Sequence, residues 1–289
     1  MSHKYFGSIL AGKRALITGA NRGLGLLMAH RFLECGAKVA IFCAPHEEIG
    51  PAVAGLKSLD PSFEVLGFKP NLTDEDALRK IMAEIEDKWG GLDILVNNAG
   101  LYPPKAFEEY PQDLFKTVFD VNVTGMFVTS KIAVELLKKN PAGGVILNTS
   151  SMAGINGAMA NIGYTSSKFA VEGLTLGMAR ELGKYNIRVN AVAPAGMEKT
   201  DVNGNIIPMD TSAYANMPPE TIAKLQKATE TALKFAPMGK FNCHPDEMIN
   251  AFIFLASDAA AFISGQTIAV SGACIWPAAS PASSMNWNA

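Results

Sequence analysis

The chain has 289 residues, of which 48% are hydrophobic, 25 are Lys or Arg and 27 are Asp or Glu. This apolar content excludes an intrinsically disordered protein, because it suffices for a sizeable core, and the length fits one large domain or two small ones. The net charge of −2 and the pI near 6.1 lack the positive excess that binds nucleic acid or an acidic membrane surface, so we expect neither partner.

The first ten residues show no targeting signal, because they lack a basic stretch followed by an apolar one. Two uncharged segments, residues 140–167 and 259–289, are interrupted by polar residues, Gly or Pro, and neither is expected to span a bilayer. Four scattered cysteines without a CxxC pair predict free thiols and no metal site: Cys35, Cys43, Cys243 and Cys274. We therefore expect a cytoplasmic protein.

Short β-branched or apolar segments alternate with helical patterns along the chain. They predict strands at residues 15–18, 38–42, 64–68, 93–97, 144–149, 187–192 and 267–270. Apolar residues at helical spacing predict helices at residues 25–35, 75–88, 114–139, 168–182 and 246–256. Because several strands are almost continuously apolar, we expect an α/β protein: a single-domain, doubly wound Rossmann fold with a seven-stranded parallel sheet and helices on both faces.

Residues 195–244 interrupt this alternation and are too long for an ordinary connection. We expect a helical substrate lid here, with a helix at residues 220–235, inside one domain of residues 1–289 that ends in an uncharged tail at residues 274–289. The lid and the turn after Ser151 contribute apolar residues that predict a bulky apolar substrate, although each of them alone is better explained as core: Met152, Ile155, Met159, Met197, Met209, Tyr214, Met217, Leu225, Phe235 and Met238.

A glycine-rich turn, Thr18-Gly19-Ala20-Asn21-Arg22-Gly23-Leu24-Gly25, lies between the first predicted strand and the first predicted helix. Glycine at these spacings lets backbone amides approach a pyrophosphate, and the helix N-terminus favours negative charge. The motif predicts nucleotide binding. Tight packing of the turn is the alternative explanation, because glycines are common wherever a strand leads into a helix.

Tyr164 and Lys168 lie four residues apart at the start of a helical pattern, so their side chains share one face. We expect the Lys168 ammonium to lower the pKa of Tyr164 from its ordinary value of about 10 and to suit it for acid–base catalysis. Ser151 follows a predicted strand, where a hydroxyl can hold a substrate oxygen. Taken singly, these residues are better explained as a surface Tyr–Lys pair on a helix and a serine in a turn.

Together these residues resemble the short-chain dehydrogenase/reductase family. The resemblance rests on the glycine turn, on Asn97-Asn98-Ala99-Gly100 after the fourth predicted strand, and on Asn122, Ser151 and the Tyr164-x-x-x-Lys168 pair in the family's order. Ser151 precedes Tyr164 by 13 residues, and Asn122 precedes Ser151 by 29. The resemblance covers residues 11–273.

The resemblance implies reversible hydride transfer between NAD(H) or NADP(H) and a small-molecule alcohol or ketone. It assigns Tyr164 as the proton donor and acceptor and Ser151 as the hydrogen-bond partner of the reacting oxygen. Lys168 would lower the Tyr164 pKa and hold the nicotinamide ribose, and Asn122 would support a proton relay through water.

The resemblance also assigns residues to the cofactor: Gly19, Asn21, Arg22, Gly23, Leu24, Gly25, Cys43, Asn71, Leu72, Asn98, Ala99, Gly100, Tyr164, Lys168, Pro194, Gly196 and Thr200. At the end of the second strand, residues 42–46 contain neither an acid that would mark NAD nor a Lys or Arg that would attract the 2′-phosphate of NADP. Arg22 can reach such a phosphate or point to solvent. The sequence therefore leaves NAD and NADP equally open.

Length and lid are similar to those of bacterial hydroxysteroid dehydrogenases of this family, which favours a steroid-like substrate. A 3-oxoacyl thioester and a keto-sugar or polyol remain alternatives, as do a non-catalytic dinucleotide-binding regulator and an adenosylmethionine-dependent transferase. The intact set of Ser151, Tyr164 and Lys168 favours the dehydrogenase. The resemblance further implies a homodimer or homotetramer.

Overall fold

The computed structural model describes residues 3–103, 105–157, 161–201, 205–206, 227, 236–240 and 242–273. Its strands are β1 Arg14–Ile17, β2 Lys38–Phe42, β3 Val65–Phe68, β4 Ile94–Asn97, β5 Gly144–Thr149, β6 Ile187–Pro194, β7 Gly196–Met197, β8 Asn242–Cys243 and β9 Thr267–Val270. Its helices are α1 Gly23–Glu34, α2 Gly50–Leu59, α3 Glu75–Trp89, α4 Gln112–Phe119, α5 Gly125–Leu137, α6 Ala153–Asn156, α7 Ile162–Leu182 and α8 Pro245–Ala256.

Seven strands form one parallel sheet in the order β3-β2-β1-β4-β5-β6-β9. The chain builds outward from β1 in one direction through β2 and β3, and in the other from β4 to β9. The strand order therefore reverses between β1 and β4, where ligand crevices of doubly wound sheets open at the carboxyl ends of the strands. The predicted seven-stranded Rossmann fold is confirmed.

Two hydrophobic cores cover the two faces of the sheet. One packs α1 and α8 against the sheet through Phe32 and Phe252, and the other packs α3 and α5 against it through Ile85 and Ile132. Neighbouring residues of one strand face opposite cores, as the two-residue period of a strand requires. None of the helices within the described residues is both long and apolar enough to cross a membrane.

The structure corrects several predicted elements. Helix α2 was not predicted, because its small residues bury only Ala52 and Leu56 and give a weak apolar pattern. The helix predicted at residues 114–139 is two helices joined by a π-helical turn at Asp120–Thr124. Helix α7 begins six residues earlier than predicted, since Asn161 caps its first turn by accepting a hydrogen bond from the Tyr164 amide.

Strands β7 and β8 form a short parallel pair that the sequence analysis did not predict. The pair places residues 196–197 beside residues 242–243, so the two ends of the expected lid lie together. The expected helix at residues 220–235 and the tail at residues 274–289 lie outside the described residues, apart from Lys227. The same holds for Met159, Met209, Tyr214, Met217, Leu225 and Phe235.

A buried ion pair holds β1 and β4 together at their amino ends. Asp93 accepts hydrogen bonds from the Arg14 backbone amide at 2.8 Å, from Arg14 Nε at 2.7 Å and from Asn140 Nδ2 at 2.6 Å. Burial alone would raise the pKa of Asp93, but the hydrogen bonds from Arg14 outweigh it and hold that pKa below its usual value. The pair thus aligns the two strands between which the crevice opens.

Replacing Asp93 with Asn should lower the free energy of unfolding by about 3 kcal/mol at neutral pH, because the Arg14 guanidinium would lose its buried partner. A folded-state pKa below the unfolded value means that the carboxylate stabilises the fold above the unfolded pKa and that this contribution disappears as the pH falls through the folded pKa. The stability lost in the Asp93→Asn variant should therefore be smaller in strong acid. Urea denaturation checks this, with Glu86→Gln, which breaks an exposed pair with Lys139, as a control expected to change stability little.

Candidate active site

A cavity of about 890 Å³ opens at the carboxyl ends of β1, β2 and β4, at the reversal of strand order. Most of the residues that the sequence analysis assigned to a dinucleotide line it: Gly19, Asn21, Arg22, Gly23, Leu24, Gly25, Cys43, Asn71, Leu72, Asn98, Ala99, Gly100 and Thr200. Four of the assigned residues do not line it: Tyr164, Lys168, Pro194 and Gly196. Pro194 and Gly196 pair with Val270 and Asn242 in the two sheets. Their assignment to the cofactor stays a prediction.

The glycine turn fits a pyrophosphate. Gly19 has a φ of +62°, and a Cβ on it would lie 2.8 Å from Ala99 Cα; a Cβ on Gly25 would lie 2.3 Å from the Gly19 carbonyl oxygen. These two glycines are therefore needed for packing, whereas the Cβ position of Gly23 faces open space. Helix α1 starts at Gly23 without a side-chain cap and without an acidic residue in its first turn. Its first amides are suited to an anion.

Hydrogen bonds join the glycine turn to the segment after β4. Thr18 Oγ1 accepts from the amides of Asn98 and Ala99, both at 3.0 Å. Asn98 Nδ2 donates in return to the carbonyl oxygens of Thr18 at 3.0 Å and Gly19 at 3.1 Å. The Asn98 side chain thus shapes the cavity by holding its two walls together.

The structure brings Ser151, Tyr164 and Lys168 together. Tyr164 lies in the first turn of α7, and its phenol shares a hydrogen bond with the Ser151 side chain. Lys168 is fully buried; its Nζ donates to the Thr149 carbonyl oxygen at 2.6 Å and lies 5.4 Å from the centroid of the Tyr164 ring. Nζ also lies 3.8 Å from the Cβ position of Gly100, so the group borders the cavity.

The expected lowering of the Tyr164 pKa is wrong for the protein alone. Burial raises the pKa of Tyr164; the hydrogen bond with Ser151 opposes this shift, and Tyr102 adds to it. The pKa of Lys168 is itself lowered to about 8, because burial disfavours the ammonium more than the nearby Glu172 carboxylate favours it. The four-residue spacing correctly predicted that Tyr164 and Lys168 are neighbours. It did not predict their burial, which decides the direction of both pKa shifts.

Asn122 lies fully buried in the π-helical turn between α4 and α5. Its Oδ1 accepts from the Leu101 amide at 2.7 Å, and its Nδ2 donates to the Leu101 carbonyl oxygen at 3.1 Å and to Ser167 Oγ at 3.0 Å. The side chain therefore fixes the segment after β4 against α7. Its part in a proton relay stays a prediction.

Three residues near the site were missed by the sequence analysis. The half-exposed ring of Tyr102 packs edge-on against Tyr164, with centroids 4.8 Å apart. The Glu172 carboxylate accepts hydrogen bonds from Ser150 and Thr267, four residues along α7 from Lys168. Glu47 lines the cavity beyond the end of β2. The position of Glu172 one turn after Lys168 was the signal available in the sequence.

Comparisons with known proteins agree with this geometry. A family model described as short chain dehydrogenase matches residues 13–211. A 3α-hydroxysteroid dehydrogenase of Mediterraneibacter gnavus is 39% identical over 92% of this chain and 98% of its own length. A 3-oxoacyl-(acyl-carrier-protein) reductase of Thermotoga maritima is 32% identical over 92% of this chain and 99% of its own.

Solved structures show the same likeness. The crystal structure of a short-chain type dehydrogenase/reductase from Mycobacterium marinum matches with a TM-score of 0.75 and 30% sequence identity, covering 93% of this chain and 97% of that one. The likeness therefore extends over nearly the whole of both chains.

Replacing Lys168 with Met should stabilise the fold at pH 7 by on the order of 2 kcal/mol, because it removes a buried ammonium whose pKa is depressed. In the wild type this destabilisation is complete below the folded-state pKa of about 8 and disappears as the pH rises toward the ordinary value of 10.5. The advantage of the variant should therefore shrink over that range. Chemical denaturation at both ends of the range measures it. The exposed Lys131→Met is the matched control, and a variant that is less stable at pH 7 would contradict the buried-charge argument.

Proposed function

The chain belongs to the short-chain dehydrogenase/reductase family and is an NAD(P)-dependent alcohol dehydrogenase or ketone reductase, and we propose that it acts on a bulky apolar secondary alcohol or ketone such as a steroid. We assign the chemistry to Ser151, Tyr164 and Lys168. The convergence of these three side chains beside the cavity carries the assignment.

Each of these residues has a role that follows from its surroundings. The raised pKa keeps the Tyr164 phenol protonated at neutral pH, so it can donate a proton to a carbonyl oxygen. The Ser151 hydroxyl, already within hydrogen-bond reach of that phenol, can bind the same oxygen. The Lys168 ammonium supplies a positive charge beside the phenol as the proton leaves. A bound nicotinamide supplies or accepts the hydride.

The residues proposed to hold the dinucleotide are those that line the cavity. The uncapped start of α1 suits the pyrophosphate. Asn71 and Leu72, after β3, lie where the adenine would be held, and Gly100 and Lys168 border the part proposed for the nicotinamide ribose. Thr200 lines the cavity beside Met197, and we propose it as a contact for the nicotinamide end.

Apolar surface in the cavity and beside Tyr164 supports a bulky apolar substrate. Leu101 and Met197 line the cavity, Tyr102 packs against Tyr164, and all three expose apolar side-chain surface. Apolar surface left exposed around a crevice is typical of a ligand site. The likeness to a 3α-hydroxysteroid dehydrogenase, at higher identity than to a 3-oxoacyl thioester reductase, favours the same substrate class. The β7–β8 pair, which brings together the ends of residues 195–244, supports the lid over this site.

Exposed apolar side chains on α5 and α7 support a homodimer or homotetramer. Phe127, Phe169 and Leu176 are each about half exposed. Such a surface is stabilised when a second copy covers it. The free thiols of Cys35, Cys43 and Cys243 support a cytoplasmic location.

Replacing Tyr164 with Phe should lower kcat at least about 1,000-fold while the Kd of the dinucleotide changes only a few-fold, because only the proton-donating hydroxyl is removed. Absorbance of the reduced nicotinamide measures turnover, and calorimetric titration measures the Kd. Tyr185→Phe, in the short turn that follows α7, is the control and should retain activity. Normal turnover by the Tyr164 variant would refute the assignment.

A substrate panel tests the apolar class. With a 3-ketosteroid, a short-chain 3-oxoacyl thioester and a keto-sugar offered separately, we expect kcat/KM for the steroid to be higher than for either alternative by about 100-fold or more. The steroid buries a large apolar surface beside Tyr164, whereas the short acyl chain is small and the sugar is polar. A higher kcat/KM for the thioester or the sugar would contradict the steroid-like class and assign the enzyme to that substrate class instead.

A further inference from the structure

The end of β2 lacks the acidic side chain that would bind an adenosine ribose, and Cys43 stands there instead. Its buried thiol points back into the following turn, donating to the carbonyl oxygens of Ala44 at 3.4 Å and Glu47 at 3.8 Å. The Glu47 amide donates to the Ala44 carbonyl oxygen at 3.0 Å, which closes the turn. The chain after β2 therefore folds back and returns Glu47 to the strand end.

This turn places a carboxylate in the cavity. Glu47 lines the cavity, and its side chain is only 17% exposed. One carboxylate oxygen lies 2.6 Å from Arg22 Nη2, and the other accepts a hydrogen bond from the Ala44 amide at 3.4 Å. Arg22 belongs to the glycine turn and is 79% exposed. The acid is thus held between the two segments that face the adenosine end of a dinucleotide in folds of this type.

Two cations near the end of β2 have carboxylate partners. Arg22 pairs with Glu47, and Lys69, which follows β3, pairs with Glu48 at 3.4 Å. Burial and the Glu47 carboxylate raise the pKa of the Cys43 thiol, while Lys69 and Arg22 oppose that shift. All four charges therefore act on one strand end. Among them the Glu47 carboxylate has the largest effect on Cys43.

We propose that Glu47, paired with Arg22, makes this enzyme selective for NAD(H) over NADP(H). The proposal rests on the proposed placement of the dinucleotide in this cavity. A carboxylate accepts hydrogen bonds from the free hydroxyls of a ribose, whereas a 2′-phosphate brings negative charge against it. Because Glu47 also occupies Arg22, the arginine is not available to the phosphate without breaking the pair.

The test compares two neighbouring carboxylates. Calorimetric titration with NAD+ and with NADP+ gives Kd values for the wild type, Glu47→Gln and Glu48→Gln. We expect the wild type to bind NAD+ at least about tenfold more tightly than NADP+. In Glu47→Gln the ratio of the two Kd values should fall about tenfold, mainly because NADP+ binds more tightly. Glu48, 80% exposed and outside the cavity lining, is the matched control, and its variant should keep the wild-type ratio.

A second experiment removes Arg22. In Glu47→Gln the guanidinium is released and can pair with a 2′-phosphate, so adding Arg22→Ala should remove the gain in NADP+ affinity. AMP and adenosine 2′,5′-bisphosphate, which lack the nicotinamide, should show the same differences, so this readout does not depend on turnover.

Three outcomes would overturn the proposal. The first is wild-type protein that binds NADP+ as tightly as NAD+. The second is a ratio of the NADP+ and NAD+ Kd values that Glu47→Gln leaves unchanged. The third is a change in this ratio that is as large in Glu48→Gln as in Glu47→Gln. Each of these leaves the dehydrogenase function standing. Wild-type protein that binds neither dinucleotide would overturn the proposed function together with this inference.

Discussion

The close approach of the segments after β1 and β4 is the constraint on which the rest of the site depends. Gly19 lies against Ala99 so tightly that a Cβ has no room, and the Thr18 hydroxyl and the Asn98 amide bridge the two segments. At the other end of the same strands, Asp93 and Arg14 form a buried pair. Both ends of the two strands are thereby fixed, and the cavity between them is held open by backbone geometry before any ligand is bound.

Burial at the proposed catalytic end works against the positive charge that the proposed mechanism requires. Lys168 loses hydration on burial, so its pKa falls to about 8, although its Nζ donates a hydrogen bond to the Thr149 carbonyl oxygen. The Glu172 carboxylate raises the Lys168 pKa and so offsets part of the effect of burial. Its oxygens accept hydrogen bonds from Ser150 and Thr267. The fold therefore maintains a charge that destabilises it, which is typical of active sites, where function and stability oppose each other.

The sequence predicted what depends on local pattern. Apolar segments and glycine positions located all seven strands of the sheet, and the order of Ser151, Tyr164 and Lys168 anticipated their meeting. The sequence did not predict burial or chain reversal. The pKa of Tyr164 is raised rather than lowered, because tertiary packing buries its ring. Glu47 was overlooked because it enters the cavity through a turn, four residues after the position where a strand-based comparison looks for an acid.

The side chains proposed for cofactor recognition and those proposed for chemistry lie at different ends of the cavity. At one end, Glu47 and Arg22 form a pair that is partly open to solvent, so substitutions there change local charge without disturbing the core. At the other, Lys168 is fully buried, and a change must alter packing and protonation together. Parallel strands of the sheet connect the two ends. The choice of cofactor can therefore vary within this fold while the proton-transfer geometry around Tyr164 is preserved.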